Sequence, residues 1–280
     1  MRHSILFAIL SLFVAVSCAE KPSREEVAKA PEREGWHSNM PKLRGDVESV
    51  TEMERVVFET DTLEYKYLYK FNQRGDLEER KSFYSDGTPY DSWHYKYDAE
   101  GRLVELVWYR CDGAGCQTVN YEYDTTGKMV EMREMLGGEP IDRHIYKYDK
   151  QGRMTEDISC DSEGVTYGKV CFIYDSKGRK SEEVDYATSG ISSSKRVFTY
   201  DERGNNRSLS CYDKNGRLVV YTQYKYDSLD NIIEVVDNND ISRYQYEYDS
   251  VGNVVELREY RDKKGTLSRI VEYQIVYRQK

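Results

Sequence analysis

The pair Tyr-Asp recurs along most of the chain at an almost fixed interval. It stands at Tyr97-Asp98, Tyr123-Asp124, Tyr148-Asp149, Tyr174-Asp175, Tyr200-Asp201, Tyr226-Asp227 and Tyr248-Asp249, with spacings of 26, 25, 26, 26, 26 and 22 residues. A degenerate copy, Phe71-Asn72, lies 26 residues upstream of the first. Four residues after each aromatic comes a glycine, from Gly75 and Gly101 through to Gly204 and Gly252, with Asp230 in the one exception. A period of this length makes each copy a supersecondary unit that buries its apolar face against its neighbours rather than alone. A second turn follows in most copies, at Gly87, Gly113, Gly138, Gly164, Gly190, Gly216 and Gly265. The penultimate copy is shortened, and its second turn falls at Asp237-Asn238-Asn239-Asp240.

Each signal has a mechanical reading. In Asp-x-x-Gly the carboxylate accepts backbone N–H bonds across a type I turn, and glycine supplies the left-handed residue that follows. That combination is a hairpin loop with a bulge. Between the turns the sequence alternates with period two, as in Tyr65-Lys66-Tyr67-Leu68-Tyr69-Lys70-Phe71, where the aromatics share one face and Lys66 and Lys70 the other. Such alternation describes strands with one packed and one wet face. The fold class is therefore all-β: tandem hairpin repeats of about 26 residues forming a long antiparallel meander of about 18 strands. An opening hairpin is expected over Val47–Phe58 and Leu63–Phe71. Laid flat, such a sheet spans about 85 Å at about 4.8 Å per strand, so it is expected to curve or spiral. A propeller with two units per blade is the alternative.

The remaining composition narrows the function classes. The net charge of −9 and a pI near 5.2 argue against a non-specific phosphate-binding surface, so no nucleic acid partner is expected. Tyr is the outlier, with 26 copies against 7 Phe and 3 Trp. Residues 1–17 read as a secretory signal: a basic start, an apolar run from Ile5 to Val16, and small residues before Cys18. The ending Ala15-Val16-Ser17-Cys18 resembles a bacterial lipobox, which implies cleavage before Cys18 and acylation of its thiol. The alternative is ordinary cleavage after Ala19. Residues 18–42 then form the lipidated cysteine and a charged tether, and 43–280 the repeat domain. The expected location is the outer membrane or cell surface, with the periplasmic face as the other possibility.

The unit Y-x-Y-D-x-x-G-[RKN]-[LMV] resembles the tyrosine–aspartate repeat of Rhs proteins and insecticidal toxin-complex subunits. It reads YKYDAEGRL at 95–103, YEYDTTGKM at 121–129, YKYDKQGRM at 146–154 and YEYDSVGNV at 246–254. The stretch from Leu43 to Val50 also resembles the opening strand of secreted Bacteroidetes lipoproteins that carry these repeats. The resemblance implies the β architecture and sugar binding. It does not carry over encapsulation of a cargo, because this chain has far fewer repeats and lacks a toxin or self-cleaving region.

The candidate site residues divide into a small ligand platform and several groups with structural explanations. Trp93, Trp108, Tyr109 and Tyr90 cluster in one unit and make the candidate stacking surface for sugar rings. The Tyr of the turn pairs are better read as cross-strand packing. A column of carboxylates, Glu79, Glu105, Glu131, Glu156, Glu182, Glu234 and Glu256, is explained by pairing with Lys or Arg rather than by a cation strip. His94 and His144 occupy late-strand positions without a nucleophile beside them, and no catalytic residue is assigned. Arg44-Gly45-Asp46 is read as a chance tripeptide. Export permits disulfides, with Cys111–Cys116 and Cys160–Cys171 as the candidate pairs and Cys211 left over. No metal or cofactor is expected, and the expected partners are a polysaccharide or an envelope protein, together with the membrane through the lipid.

Overall fold

The computed structural model describes residues 43–111 and 115–279. The expectations for the signal segment, for Cys18 and for the tether lie outside the described residues. The rest is a single antiparallel sheet. Its strands are β1 (Val47–Val57), β2 (Thr62–Phe71), β3 (Leu77–Phe83), β4 (Pro89–Tyr97), β5 (Leu103–Arg110) and β6 (Cys116–Tyr123). They continue as β7 (Met129–Leu136), β8 (Glu139–Tyr148), β9 (Met154–Asp161), β10 (Thr166–Tyr174), β11 (Lys180–Ala187) and β12 (Ser192–Tyr200). The last six are β13 (Asn206–Asp213), β14 (Leu218–Tyr226), β15 (Ile232–Asp237), β16 (Asp240–Tyr248), β17 (Val254–Arg261) and β18 (Thr266–Tyr277). Each strand pairs with its sequence neighbour, and β1 also pairs with β18 from Val47↔Tyr277 to Val56↔Arg269. The meander therefore curves as expected, as a closed wall rather than a spiral or a propeller. It closes into an 18-stranded barrel, and closure removes the free edges that a sheet of this width would otherwise present.

The repeat motif explains itself in the first-turn hairpins, at one end of the barrel. Asp98 Oδ1 accepts from the Arg102 backbone N–H at 2.8 Å, and Gly101, at φ +83°, closes the loop by donating to the Asp98 carbonyl. The register shifts at Lys96/Tyr97, which is the expected bulge. In the copy without glycine, Asp230 takes the left-handed conformation itself, at φ 66°. The Tyr hydroxyl reaches back to the preceding unit: Tyr97 donates to the Leu77 carbonyl, Tyr123 to Leu103 and Tyr226 to Asn206, at 2.7–2.8 Å. The basic residue after the glycine reaches forward. Arg153 Nε donates to Asp149 at 2.7 Å while its guanidinium lies 4.7 Å over the ring of Tyr174 in the next unit. Arg102 over Tyr123 and Arg179 over Tyr200 repeat the arrangement. In the repeats that carry Arg102, Arg153 and Arg179, tyrosine, aspartate, glycine and arginine thus form one chain of contacts linking the repeat to both neighbours.

Removing one link gives a bounded effect. Tyr123→Phe keeps the ring under Arg102 but strands the Leu103 carbonyl, and should cost about 1 kcal/mol in urea unfolding. A loss of less than about 0.3 kcal/mol would mean that the hydroxyl contributes nothing net.

The two faces of the wall differ. On the inner face the aromatic two residues before the motif Tyr packs across the strand pair on an apolar partner in five repeats, Tyr95 on Leu106, Tyr121 on Met132, Phe198 on Leu209, Tyr224 on Val235 and Tyr246 on Leu257, whereas Tyr146 and Phe172 face Asp157 and Glu183. Tyr69, Leu106 and Met132 are among the most buried side chains of the protein. This apolar tier lies toward the first-turn end. The outer face carries the carboxylate column, and each member is ion-paired. Glu79 binds Lys70 and Lys81, Glu156 binds Lys147 and Lys169, and Glu234 binds Lys225 and Arg243, all at 2.7–3.1 Å. Glu105, Glu131, Glu182 and Glu256 pair likewise with Lys96, Arg143, Lys195 and Arg258. Individually such pairs contribute little. Together they make this band of the outer wall a charged surface. No helix among the described residues is long and apolar enough to cross a membrane.

Candidate functional site

Counting back from the motif Tyr in steps of two leads off the apolar tier into a polar one, nearer the second turns. On β4 and β5 this tier holds Trp93 directly opposite Trp108, with ring centroids 5.8 Å apart and planes inclined at 35°. Asp91 sits beside them, buried, accepting from Trp108 Nε1 at 3.1 Å and from the Ser82 hydroxyl. On β3 the guanidinium of Arg80 lies 4.8 Å over the Tyr67 ring. The result is a sector with a tilted indole pair, a fixed carboxylate and a fixed cation on one face of three adjacent strands.

The neighbouring sector is carboxylate-rich. His144 is buried on β8, with Nδ1 2.6 Å from Asp157 Oδ1 and Nε2 3.4 Å from Asp142 Oδ2. Tyr167 donates to Asp142 at 2.9 Å, and Gln117 donates to Glu134 at 3.2 Å. Further round, Glu183 is buried against Lys180 and Arg196, and Arg196 also approaches Asp185 at 3.5 Å. Both imidazole nitrogens face carboxylates, so the histidine is held without a nucleophile at either. No group of His, Cys, Asp and Glu among the described residues has the arrangement to hold a metal ion. On the opposite side of the barrel a hollow of about 380 Å³ lies over β16 and β17; of its carboxylates, Glu247 and Glu256 are engaged by Arg258, and Asp227 by Asn231 in its own turn.

The four aromatics grouped by the sequence do not form one platform. Trp93 and Trp108 point inward, whereas Tyr109 is on the outer face, exposed and edge-on to His94 at 5.7 Å. Tyr90 is exposed and packs edge-on against Tyr84 at 5.0 Å. Adjacent residues on a strand face opposite ways, so Trp108 and Tyr109 cannot share a surface. The two histidines part company for a related reason. His94 lies three residues before its motif Tyr and His144 four, which puts the first outside, near Glu79, and the second inside.

The five described cysteines are free thiols. Cys160 is paired in register with Thr166 and Cys171 with Glu156, so the two thiols stand several residues apart along the hairpin and cannot be bridged. Cys111 and Cys116 are likewise unbridged. Arg44-Gly45-Asp46 belongs to the seam: Arg44 bonds Asn253, and Asp46 pairs with Arg278 at 2.5 Å.

A closed barrel of tandem Tyr-Asp hairpins with a two-tier inner face defines a repeat-built shell protein. The chain belongs to the Teneurin YD-shell family, whose model matches residues 70–223. Among solved structures it is similar to a porin-like protein from Bacteroides uniformis, at 13% identity and a TM-score of 0.47, covering 82% of this chain and 96% of that one. It is also similar to TcdB2-TccC3 without its hypervariable C-terminal region, at 10% identity and a TM-score of 0.30. That match covers 78% of this chain but only 18% of the larger one. A LolA superfamily protein from Nitrosomonas europaea matches at 12% identity and a TM-score of 0.23, over 85% of this chain and 89% of that one. No curated protein matches in sequence. The structural likenesses carry no argument about activity, which rests on the residues above.

Proposed function

We propose that the protein is a non-enzymatic, lipid-anchored binding module of the cell envelope, and that its ligand is a carbohydrate held on the polar inner tier. The observation that supports this reading is the Trp93–Trp108 pair beside a fixed carboxylate: stacking surface and directional hydrogen bonding in one place are what a sugar ring requires. Tyr109 and Tyr90 are left out of this site. Catalysis is disfavoured because the inner carboxylates are each engaged, Asp91 by Ser82 and Trp108, Asp157 by His144, which leaves no free acid and base facing one another. A protein scaffold working by strand addition is disfavoured too, since β1 and β18 occupy each other's edges.

The test is glycan-array binding by the full-length chain, wild type against Trp108→Ala and Tyr109→Ala. Saturable binding to a polysaccharide class should weaken at least about tenfold in Trp108→Ala and stay unchanged in Tyr109→Ala. A blank array on folded protein, or equal binding by all three, removes the sugar reading. The anchor has its own check, because Cys18→Ser should abolish acyl labelling.

A further inference from the structure

We propose that the carbohydrate held on the polar inner tier is an acidic one: an oligosaccharide whose terminal sugar is a uronic acid, with its carboxylate on Arg80. This rests on the reading of the Trp93–Trp108 pair as a sugar platform and adds the class of sugar. Four side chains stand in one row across four adjacent strands. Arg80 of β3 is directly opposite Trp93 of β4, Trp93 is opposite Trp108 of β5, and Trp108 is opposite Gln117 of β6. At about 4.8 Å per strand the row is about 14 Å long, with room for more than one ring. All four residues are half-buried, whereas Asp91 and Tyr95 beside them are buried.

Arg80 differs from other cations of the inner face. Lys180 and Arg196 hold Glu183, and Arg261 and Arg269 hold Glu259. Arg80 has no carboxylate at ion-pair distance among the described residues, and its Nε is buried without a hydrogen bond. Its guanidinium lies over the Tyr67 ring, and its polar neighbours are the Tyr69 hydroxyl and the Asp91 carboxylate. The hydroxyl gives its proton to Glu52 and offers Arg80 only a neutral acceptor. Asp91 is occupied at both oxygens, Oδ1 by the Ser82 hydroxyl and Oδ2 by Trp108 Nε1. A guanidinium carries five donors in a planar fork that meets a carboxylate with two parallel bonds. In Arg80 that fork stands at the edge of the indole pair with no anion to meet. Polarity along the row then orients the ligand. At the far end Gln117 donates to Glu134, and Asp142 and Asp157 follow on the next strands. A carboxylate is favoured at the β3 end and repelled at the β6 end, so the acid is the terminal group and the ring beyond it is neutral. A basic sugar lying the other way would meet acids already bonded to Gln117, Tyr167 and His144.

The experiment measures binding of disaccharides ending in glucuronate, galacturonate or mannuronate to the full-length chain, each beside its uncharged parent sugar and its carboxyl methyl ester. An acid of this set should bind at least about tenfold more tightly than its parent and its ester. Arg80→Gln should bring that acid and its parent to within about twofold of each other, and Arg80→Lys, which keeps the charge but loses the fork, should fall between. Trp108→Ala should weaken acid and parent together, and Lys96→Gln, on the outer wall, should leave the preference unchanged. Near-ultraviolet circular dichroism checks that every variant keeps its aromatic packing. Equal binding of acid, parent and ester by the wild type, or a preference that survives in Arg80→Gln, overturns the proposal and leaves the sugar reading standing. Binding of none of the probes also overturns it, and the sugar reading is then decided by the glycan array.

Discussion

Asn253→Leu should destabilise the protein by about 2–4 kcal/mol. Asn253 follows the last motif glycine and is 1% exposed. Its Oδ1 accepts from the Arg44 backbone N–H at 2.6 Å, and its Nδ2 donates to the Arg44 carbonyl at 2.8 Å and to the Tyr277 hydroxyl at 2.6 Å. One side chain therefore joins the start of the barrel to its last turn and its last strand. Leucine keeps the branched skeleton of asparagine, though it is bulkier, but offers nothing to Arg44, whose two backbone groups are left without these partners. Arg44 is itself exposed, so water can reach the freed groups, and each of the three lost hydrogen bonds counts for about 1 kcal/mol. The seam would still hold the β1–β18 ladder, so the expected readout is a lower urea midpoint rather than an unfolded chain. Asn253→Asp is the informative companion. Protonated at low pH, it keeps the acceptor for the Arg44 N–H and one donor in place of two, so it should fall between wild type and leucine there. A leucine variant within about 1 kcal/mol of wild type would show that the closing ladder alone holds the barrel shut.

The parts of this structure that were legible in the sequence are the local ones. Asp-x-x-Gly fixes a turn from four adjacent residues, and period-two alternation fixes a strand from seven. The shortened Asp237–Asp240 turn was legible as well, and Asn238 takes the left-handed conformation there at φ 52°. The carboxylate column could be assigned to ion pairing because Lys or Arg recurs at cross-strand positions. Closure was not legible. Val47 and Tyr277 lie at opposite ends of the domain, and β1 carries no motif to announce its partner. The inner polar tier was hidden by the bulges. Each first-turn bulge shifts the parity by one, so alternation cannot be followed from one strand into the next, and nothing in the sequence marks Asp157 and Glu183 as facing inward. On the even-numbered strands, where parity runs unbroken back from the motif Tyr, the signal was present: Trp93 and Asp91, and His144 and Asp142, lie four and six residues before it. Grouping Trp108 with Tyr109 overlooked that same parity.

β1 also carries the second large effect, because it closes the barrel with an acid on its inner face. Glu52 lies between Tyr67 of β2 and Tyr273 of β18, and Tyr69 donates to its Oε2 at 3.0 Å. Burial raises its pKa to about 7; the Tyr69 hydroxyl opposes the rise and nearby Glu54 adds to it. The linkage follows directly. In the unfolded chain Glu52 ionises near its ordinary value of 4.5, whereas in the barrel it keeps its proton to about pH 7. The stability contributed by the neutral acid is therefore fully present below pH 4.5 and is lost as pH rises through about 7. Over that window the loss approaches about 3 kcal/mol, at about 1.4 kcal/mol per unit. Glu52→Gln keeps an acceptor for Tyr69 and cannot ionise. It should match wild type within about 1 kcal/mol at pH 4.5 and exceed it by about 2–3 kcal/mol at pH 8, measured by urea unfolding at both. A difference that does not change with pH would mean that Glu52 ionises as freely in the barrel as in the unfolded chain. Water would then reach the inner face of the seam, and Asn253 rather than apolar burial would be what keeps the first and last strands together.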